Sequence, residues 1–559
     1  MKLTYALSLL CACAAPALAQ KPALTPQLLP QQRADYGVVF AAIKASDWTG
    51  ASAKLDAMGI GPLHAEARAL ILTAKNSPKA EADQLAAAAF AARDLPEGAI
   101  LVRLATTRGA AAVPQLPEVR DLRWLGSAPR RGRTATVGGD AVAQSLGPQL
   151  LQMIKDDRPA DAEALIAGRE GDFQAEPLTE WRQRVAWSYF LTGNDVAARA
   201  LAAKARTGYG EWAAQADWVE GLAAWRQKDF GAALAGFDAV ARRAADSEMV
   251  AAGHFWAARA AMAAGRPEQI QPHQRAAAQL GETFYGMLAQ AALGLAAKGD
   301  DDGAGQFAVV AGRPAVAAAI ALSEIGESER ADSLLRWQAR IGLPAEHATL
   351  TLIAGKLGLP ATQLWLAHNG PAGARTTIEG RYPSPETWAP EGGWRVDRSL
   401  VFAHALQESN FRADAVSKAG ARGLMQVLPT TAALIQRTTG LIVSGGLNSP
   451  AANMAFGQKY IEQLADMAAT GGALPKVIAA YNCGPAPVAR WNVNSAAQGD
   501  PLLYIESIPY WETRGYVATV LRNYWMYQQQ AGKPTISRDA LLQGSWPTLP
   551  REGTQLASR

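Results

Sequence analysis

Cysteine is almost missing from this chain, which rules out a disulfide framework. Of three cysteines in 559 residues, Cys11 and Cys13 fall among the first twenty and only Cys483 follows, so packing must hold whatever folds beyond them. Strand signals are nearly absent too, since alternating β-branched and aromatic runs do not occur between turn residues. A net charge of +4 is mild. It suits long-range attraction to an acidic polymer but does not call for nucleic acid. No Cys/His spacing of the zinc type, no P-loop and no dinucleotide fingerprint precedes a helix, so no metal and no organic cofactor is expected. Long apolar runs are missing from the body of the chain. The stretch from Phe307 to Leu322 is interrupted by Arg313 and Pro314, which argues against a membrane span.

The first twenty residues read as an export signal. Lys2 precedes an apolar run from Leu3 to Ala15, and Ala17-Leu18-Ala19 is a small-residue cleavage pattern that places the mature start at Gln20. A second reading takes Leu10-Cys11-Ala12-Cys13 as a lipoprotein box with Cys13 acylated. In either case the chain leaves the cytoplasm.

From Gln20 to about Gly380 the sequence is Ala-rich and helical, punctuated by Gly, Pro and Asp. Glu180 to Leu191, Asp195 to Ala205, Trp212 to Gln227, Gly231 to Ala244 and Glu248 to Ala264 are each one helix long. Gly193-Asn194-Asp195, Gln227-Lys228-Asp229 and Gly265-Arg266-Pro267 recur at a step of roughly 34 to 37 residues, that of tetratricopeptide-like helix pairs. Such pairs bury their apolar faces against neighbours and build a superhelix. Trp181, Trp187, Trp212, Trp218, Trp225 and Trp256 are therefore assigned to helix-pair cores rather than to sugar stacking. Pro114 to Gly139 breaks the pattern with five arginines, Arg120, Arg123, Arg130, Arg131 and Arg133. It reads as a long solvated connection, with contact to an anionic polymer as the sharper alternative.

Further on, Val396 to Glu408 has a helix signature. Asp397 can cap it, and Leu400, Val401, His404, Ala405 and Glu408 recur along one stripe. Glu408 thus continues a buried face. Partial burial disfavours the charged carboxylate and moves its pKa from about 4.3 toward about 6 or 7, where it can both give and take a proton.

Glu408-Ser409 is followed by Gly420-Ala421-Arg422-Gly423-Leu424-Met425-Gln426, then by Ala480-Tyr481-Asn482-Cys483-Gly484, then by the run from Glu506 to Val517. In this order and at these separations, roughly Tyr382 to Gln530 resembles the catalytic domain of the soluble lytic murein transglycosylases, which has a goose-lysozyme-like fold. Gly281-Glu282-Thr283-Phe284-Tyr285-Gly286-Met287-Leu288-Ala289 looks like a second signature of that family. The resemblance implies a mainly all-α chain with an N-terminal α-superhelix at 20–300, a helical linker at 301–380 and the lysozyme-like domain at 381–532, to which the residues themselves add the signal peptide at 1–19 and a Pro-, Gly-, Ser- and Thr-rich, loosely held tail at 533–559. It implies a periplasmic enzyme, or an outer-membrane lipoprotein if Cys13 is acylated.

The activity implied is a carbon–oxygen lyase acting on peptidoglycan strands, with Glu408 as the single acid/base. The N-acetyl oxygen of muramic acid would supply the nucleophile, and a 1,6-anhydro ring would close without water. Ser417 would then hold the N-acetyl group or a sugar hydroxyl. Gly423, Leu424, Met425 and Gln426 would line the cleft, the Met425 thioether against a sugar face and the Gln426 amide toward its hydroxyls. Tyr481 would hydrogen-bond the Glu408 carboxyl, and Asn482 would orient substrate. Glu512 and Tyr516, four residues apart on one helix face, would bind the muramyl peptide side or brace the cleft; pairing of Glu512 with Arg514 is the alternative for that acid. The superhelix would recruit cell-wall enzymes or secretion-complex partners. A rival reading keeps the fold but pairs Glu408 with a second acid for ordinary hydrolysis, from among Asp414, Glu462, Asp466, Glu506 and Glu512. Another makes the chain a helical scaffold with an idle enzyme domain.

Overall fold

The computed structural model describes residues 23–77, 79–295, 304–493 and 499–550, so the export-signal and Cys13 readings lie outside the described residues. Among those described, the chain forms 27 α-helices and two three-residue strands, Leu122–Trp124 and Asn369–Pro371. No described helix is long and apolar enough to cross a membrane.

The chain divides into two compact units: Met1–Arg123 with Asp301–Leu359 and Gly370–Arg375, and Trp124–Asp300 with Pro360–Asn369 and Thr376–Arg559. The first unit joins sequence-distant helices through charge. Arg33 pairs with Glu324 at 2.9 Å, Lys44 with Glu327 at 2.7 Å, and Arg330 bridges Glu66 and Glu97. Arg313 and Pro314, which interrupt its apolar stretch, separate helix Phe307–Ala311 from helix Pro314–Glu324.

The second unit carries the repeated helix pairs. Successive turns reuse one device, a residue at positive φ followed by a side-chain cap. Gly193 (φ 85°) precedes Asn194, which caps Ala197, and Lys228 (φ 61°) precedes Asp229, which caps Ala232. Helices Phe230–Arg243 and Ser247–Ala263 approach so closely that a Cβ on Gly253 would lie 2.7 Å from the Ala241 nitrogen. Only glycine fits there. Trp181, Trp212, Trp218 and Trp256 are buried as helix-pair core. Trp187 and Trp225 are partly buried, with the Arg514 and Arg259 guanidinium groups over their faces.

The remainder of this unit is a helical domain that shares one hydrophobic core with the pairs. Phe284 of helix Phe284–Ala292 stacks on Trp525 of helix Trp511–Gln530, with ring centroids 5.1 Å apart. Two sequence expectations need correction in this unit. The connection Pro114–Gly139 is exposed over much of its length, as expected, but from residue 124 onward it is pinned rather than free. Arg131 forks onto the buried Glu506 at 2.6 and 3.1 Å, the Pro129 carbonyl accepts from Arg522, and the Ala135 carbonyl accepts from the Trp212 indole at 2.9 Å. The segment is a strap fixed by charge and by backbone carbonyls. Residues 533–550 are likewise packed rather than loose. Ile536–Leu542 is a helix, Ser537 accepts from the Trp525 indole at 2.9 Å, Leu541 is fully buried, and the Pro547 carbonyl accepts from the Leu474 amide at 2.7 Å.

Candidate active site

The site is built around the last turn of helix Arg398–Ser409. Asp397 caps its first turn, accepting from the Ser399 amide at 2.9 Å. The helix stops because Asn410 and Phe411 both take left-handed backbone conformations, φ 52° and 60°, and the enclosed Phe411 packs against Phe402 with centroids 5.8 Å apart. That reversal brings the chain back across the helix end. Ser409 then donates to the Leu424 carbonyl at 2.8 Å, fastening the 420–427 loop beside Glu408.

The loop itself is held from below. Gly423 sits at φ 74°, and a Cβ there would lie 2.1 Å from the Leu447 carbonyl and 2.3 Å from Asn453 Nδ2, so no other residue fits. Asn453, fully buried on helix Pro450–Asp466, accepts from the Met425 amide at 2.8 Å and donates to the Arg422 and Leu447 carbonyls. Leu424 and Met425 have no exposed surface, and Met425 packs on the bare backbone of Gly457. Gln426 turns its amide inward onto the Ala415 and Gly423 carbonyls. These geometries correct the expectation that the thioether lies against a sugar and the amide faces its hydroxyls, because both side chains are occupied in shaping the loop. Ser417, exposed, accepts from the Ala421 amide at 3.0 Å within the preceding turn.

Glu408 itself is partly buried. Tyr516, from helix Trp511–Gln530, donates to its Oε1 at 2.5 Å. Burial pushes the carboxyl up to about 7; the Tyr516 bond opposes this rise, and the neighbouring charge of Glu512 adds to it. At neutral pH the acid is therefore close to half-protonated, the condition for one group to act as donor and acceptor in turn.

Tyr481 does not bond Glu408 as expected. Its hydroxyl donates to the Met425 carbonyl at 2.8 Å, so it secures the loop while Tyr516 holds the acid. Asn482 is present at the same helix end, with its amide oxygen accepting from Thr513 at 2.6 Å. Glu512 is exposed, one turn before Tyr516. The pairing of Glu512 with Arg514 does not occur: Arg514 is buried, donates to the Glu506 carbonyl at 3.2 Å and lies over Trp187 and Trp511.

Among the other acids weighed as a second carboxylate, Glu462 pairs with Arg395 and Lys459, and Glu506 with Arg131. Asp414 is an exposed loop residue and Asp466 is exposed at the end of its helix. Glu512 is the acid whose charge reaches Glu408. Sequence reasoning missed His404 and Thr513. His404 lies on the Glu408 stripe one turn earlier, and that spacing was the available signal.

The raised carboxyl has a consequence for stability. Near and below pH 4 Glu408 is mostly protonated in both the folded and the unfolded chain, so it costs little. Between about 4.5 and 7 the unfolded chain ionises it while the folded chain holds its proton, so stability falls across that window and the cost levels off above it at about 3 kcal/mol. Glu408→Gln is therefore expected to be more stable than wild type by about 2–3 kcal/mol at about pH 8 and equal to it near pH 4. Urea unfolding at the two pH values measures the difference.

Residues 389–503 match the family model described as the Transglycosylase SLT domain. The soluble lytic murein transglycosylase of Escherichia coli strain K12 is 36% identical over 148 residues, 26% of this chain and 23% of that protein. A putative soluble lytic murein transglycosylase of Haemophilus influenzae is 36% identical over 141 residues, 24% of this chain and 22% of the relative. The matched stretch thus spans under a quarter of these curated relatives. In fold the likeness is wider. The crystal structure of the 70 kDa soluble lytic transglycosylase of Escherichia coli superimposes with a TM-score of 0.55 at 19% identity, covering 93% of this chain and 89% of that one. The lytic transglycosylase Slt of Pseudomonas aeruginosa gives a TM-score of 0.52 at 18% identity, covering 90% and 88%. The mainly all-α class, an α-superhelix with a lysozyme-like domain, is the fold of this chain.

Proposed function

We propose that this chain, whose residues 389–503 belong to the Transglycosylase SLT domain family, is an exported, periplasmic enzyme that cuts the β-1,4 bond between N-acetylmuramic acid and N-acetylglucosamine without water. The observation that carries the reading is Glu408: an acid raised to about 7, held by Tyr516 at a helix end beside the 420–427 loop. The superhelix, linker and catalytic regions read from the sequence are part of the same proposal.

In the first step Glu408 gives its proton to the leaving glycosidic oxygen. The C1–O bond breaks as the N-acetyl oxygen of the same muramic acid attacks C1. In the second step the Glu408 carboxylate takes the proton of the C6 hydroxyl, O6 bonds to C1, and the C1–O bond to the N-acetyl group opens. One proton leaves Glu408 and one returns, and the product is a 1,6-anhydromuramic acid end. Asn482, Ser417 and Glu512 are assigned to the substrate side, since each presents a polar group near this end of the domain. Gly423, Leu424, Met425 and Gln426 act through the shape and backbone of their loop, and Tyr481 braces it.

The nearness of Glu512 to Glu408 favours a second reading, in which Glu512 activates a water for hydrolysis. Mass spectrometry of digested peptidoglycan separates the two. The lytic reaction yields muropeptides lighter by one water than the reducing ends of hydrolysis; reducing ends alone would refute it.

A further inference from the structure

His404 is fully enclosed, one helical turn before Glu408. Its Nδ1 lies 2.9 Å from the Tyr516 hydroxyl oxygen, which lies 2.5 Å from Glu408 Oε1. Its ring rests against Tyr481, with centroids 4.5 Å apart, and its Nε2 is buried without a partner among the described residues. An aliphatic side chain would pack such a place without leaving a polar atom unsatisfied, so packing alone does not account for an imidazole.

The tautomer follows from the Tyr516 hydroxyl. Burial holds the imidazole neutral, lowering its pKa to about 3, so one nitrogen carries hydrogen and the other does not. Tyr516 has one hydrogen and gives it to Glu408 Oε1, so a ring nitrogen 2.9 Å from its oxygen can bond it only as a donor, which puts the hydrogen on Nδ1. Nδ1–H then donates to the Tyr516 oxygen, and the single Tyr516 hydrogen is left to point at Glu408 Oε1.

We propose, building on the function given above, that His404 is a positioning residue: by donating to Tyr516 it keeps that hydroxyl donating to Oε1, so the transferable proton of Glu408 resides on Oε2. Were the Tyr516 oxygen free to accept, protonated Glu408 could turn its hydrogen onto it. The acid would then be stabilised in its protonated form, with the proton pointed away from the substrate. The titratable groups around this chain of bonds are Tyr481 from helix Leu474–Cys483, Glu512 and Tyr516 from helix Trp511–Gln530, and Tyr460 from helix Pro450–Asp466, whose ring meets Tyr481 at 5.4 Å.

The test uses the full chain in three forms: wild type, His404→Leu, and His404→Asn, whose amide nitrogen sits about where Nδ1 sits. Nitrogen NMR of labelled histidine in wild type, with the His404 signal identified by its loss in His404→Asn, should show the Nδ1–H tautomer. Carbon NMR of labelled glutamate, assigned with Glu408→Gln, should show Glu408 titrating about half a unit to one unit higher in His404→Leu. On peptidoglycan, His404→Leu should lose about tenfold in kcat with KM changed less than about twofold, and His404→Asn should recover most of both effects. An Nε2–H tautomer in wild type overturns the proposal. So does a His404→Leu chain with wild-type kcat and an unmoved Glu408 midpoint. If His404→Leu does not fold, the tautomer and the Glu408 midpoint in His404→Asn, which should stay near wild type, decide. Should wild type release no anhydro ends, the functional reading fails by itself, and the two NMR measurements still judge the role of His404.

Discussion

Glu408→Gln should lower the rate of glycan cleavage by about 10²–10⁴-fold, the range ordinarily lost with a general acid/base. Glutamine keeps the shape of the side chain and can still accept from Tyr516 through its amide oxygen, so the loop and the helix end should be undisturbed. What it lacks is a proton to release. Because substrate contacts are unaltered, KM should stay near its wild-type value while kcat falls, the mark of a group that matters in the transition state. Steady-state release of soluble muropeptides measures both constants. A loss smaller than about tenfold would mean that another acid, Glu512 foremost, protonates the leaving group.

The second large effect concerns the strap. Glu506 is 2% exposed at its side chain, and Arg131 is 13% exposed. Burial alone would raise the Glu506 carboxyl, but the charge and hydrogen bonds of Arg131, with help from Arg514 and the Tyr285 hydroxyl, hold it below the usual range. Arg131→Met removes the chief partner and leaves a buried carboxylate, which should destabilise the second unit by about 3–5 kcal/mol. Glu506 contributes stability above its unfolded pKa, and that stability disappears as pH falls through the lower folded value. The deficit of Arg131→Met should thus be full near neutral pH and shrink in acid, where Glu506 protonates in the variant. Adding Glu506→Gln to Arg131→Met should recover much of the loss, since replacing both partners removes the stranded charge. Urea unfolding of the single and double variants measures the cycle; a single variant as stable as wild type would make the strap incidental.

The contrast between these two sites shows what the sequence discloses. Glu408 was legible because its neighbours are local: the cap at Asp397, the stripe through His404, and blocks whose order carries a resemblance. The expected helix from Val396 to Glu408 differs from the observed Arg398–Ser409 only at its ends. Arg131 was not legible, since its partner Glu506 lies 375 residues away and a run of arginines among Pro and Gly carries no local sign of burial. Met425 and Gln426 misled for a related reason. A motif names which residues shape a loop, but whether a side chain faces the cleft or the floor depends on Asn453 and Gly457, which the motif does not contain. Tyr481 and Tyr516 exchanged duties in the same way. Both stand near the acid, and hydroxyl geometry alone decides which of them holds it.

Isotopic labelling tests most directly whether the bond is broken without water. Peptidoglycan digested by the wild-type chain in water carrying the heavy oxygen isotope should give muramyl ends with no label, because O6 of the sugar closes the ring. One heavy oxygen on each new muramyl end would show that water was the nucleophile, and the account of Glu408 as a lone acid returning its own proton would be contradicted.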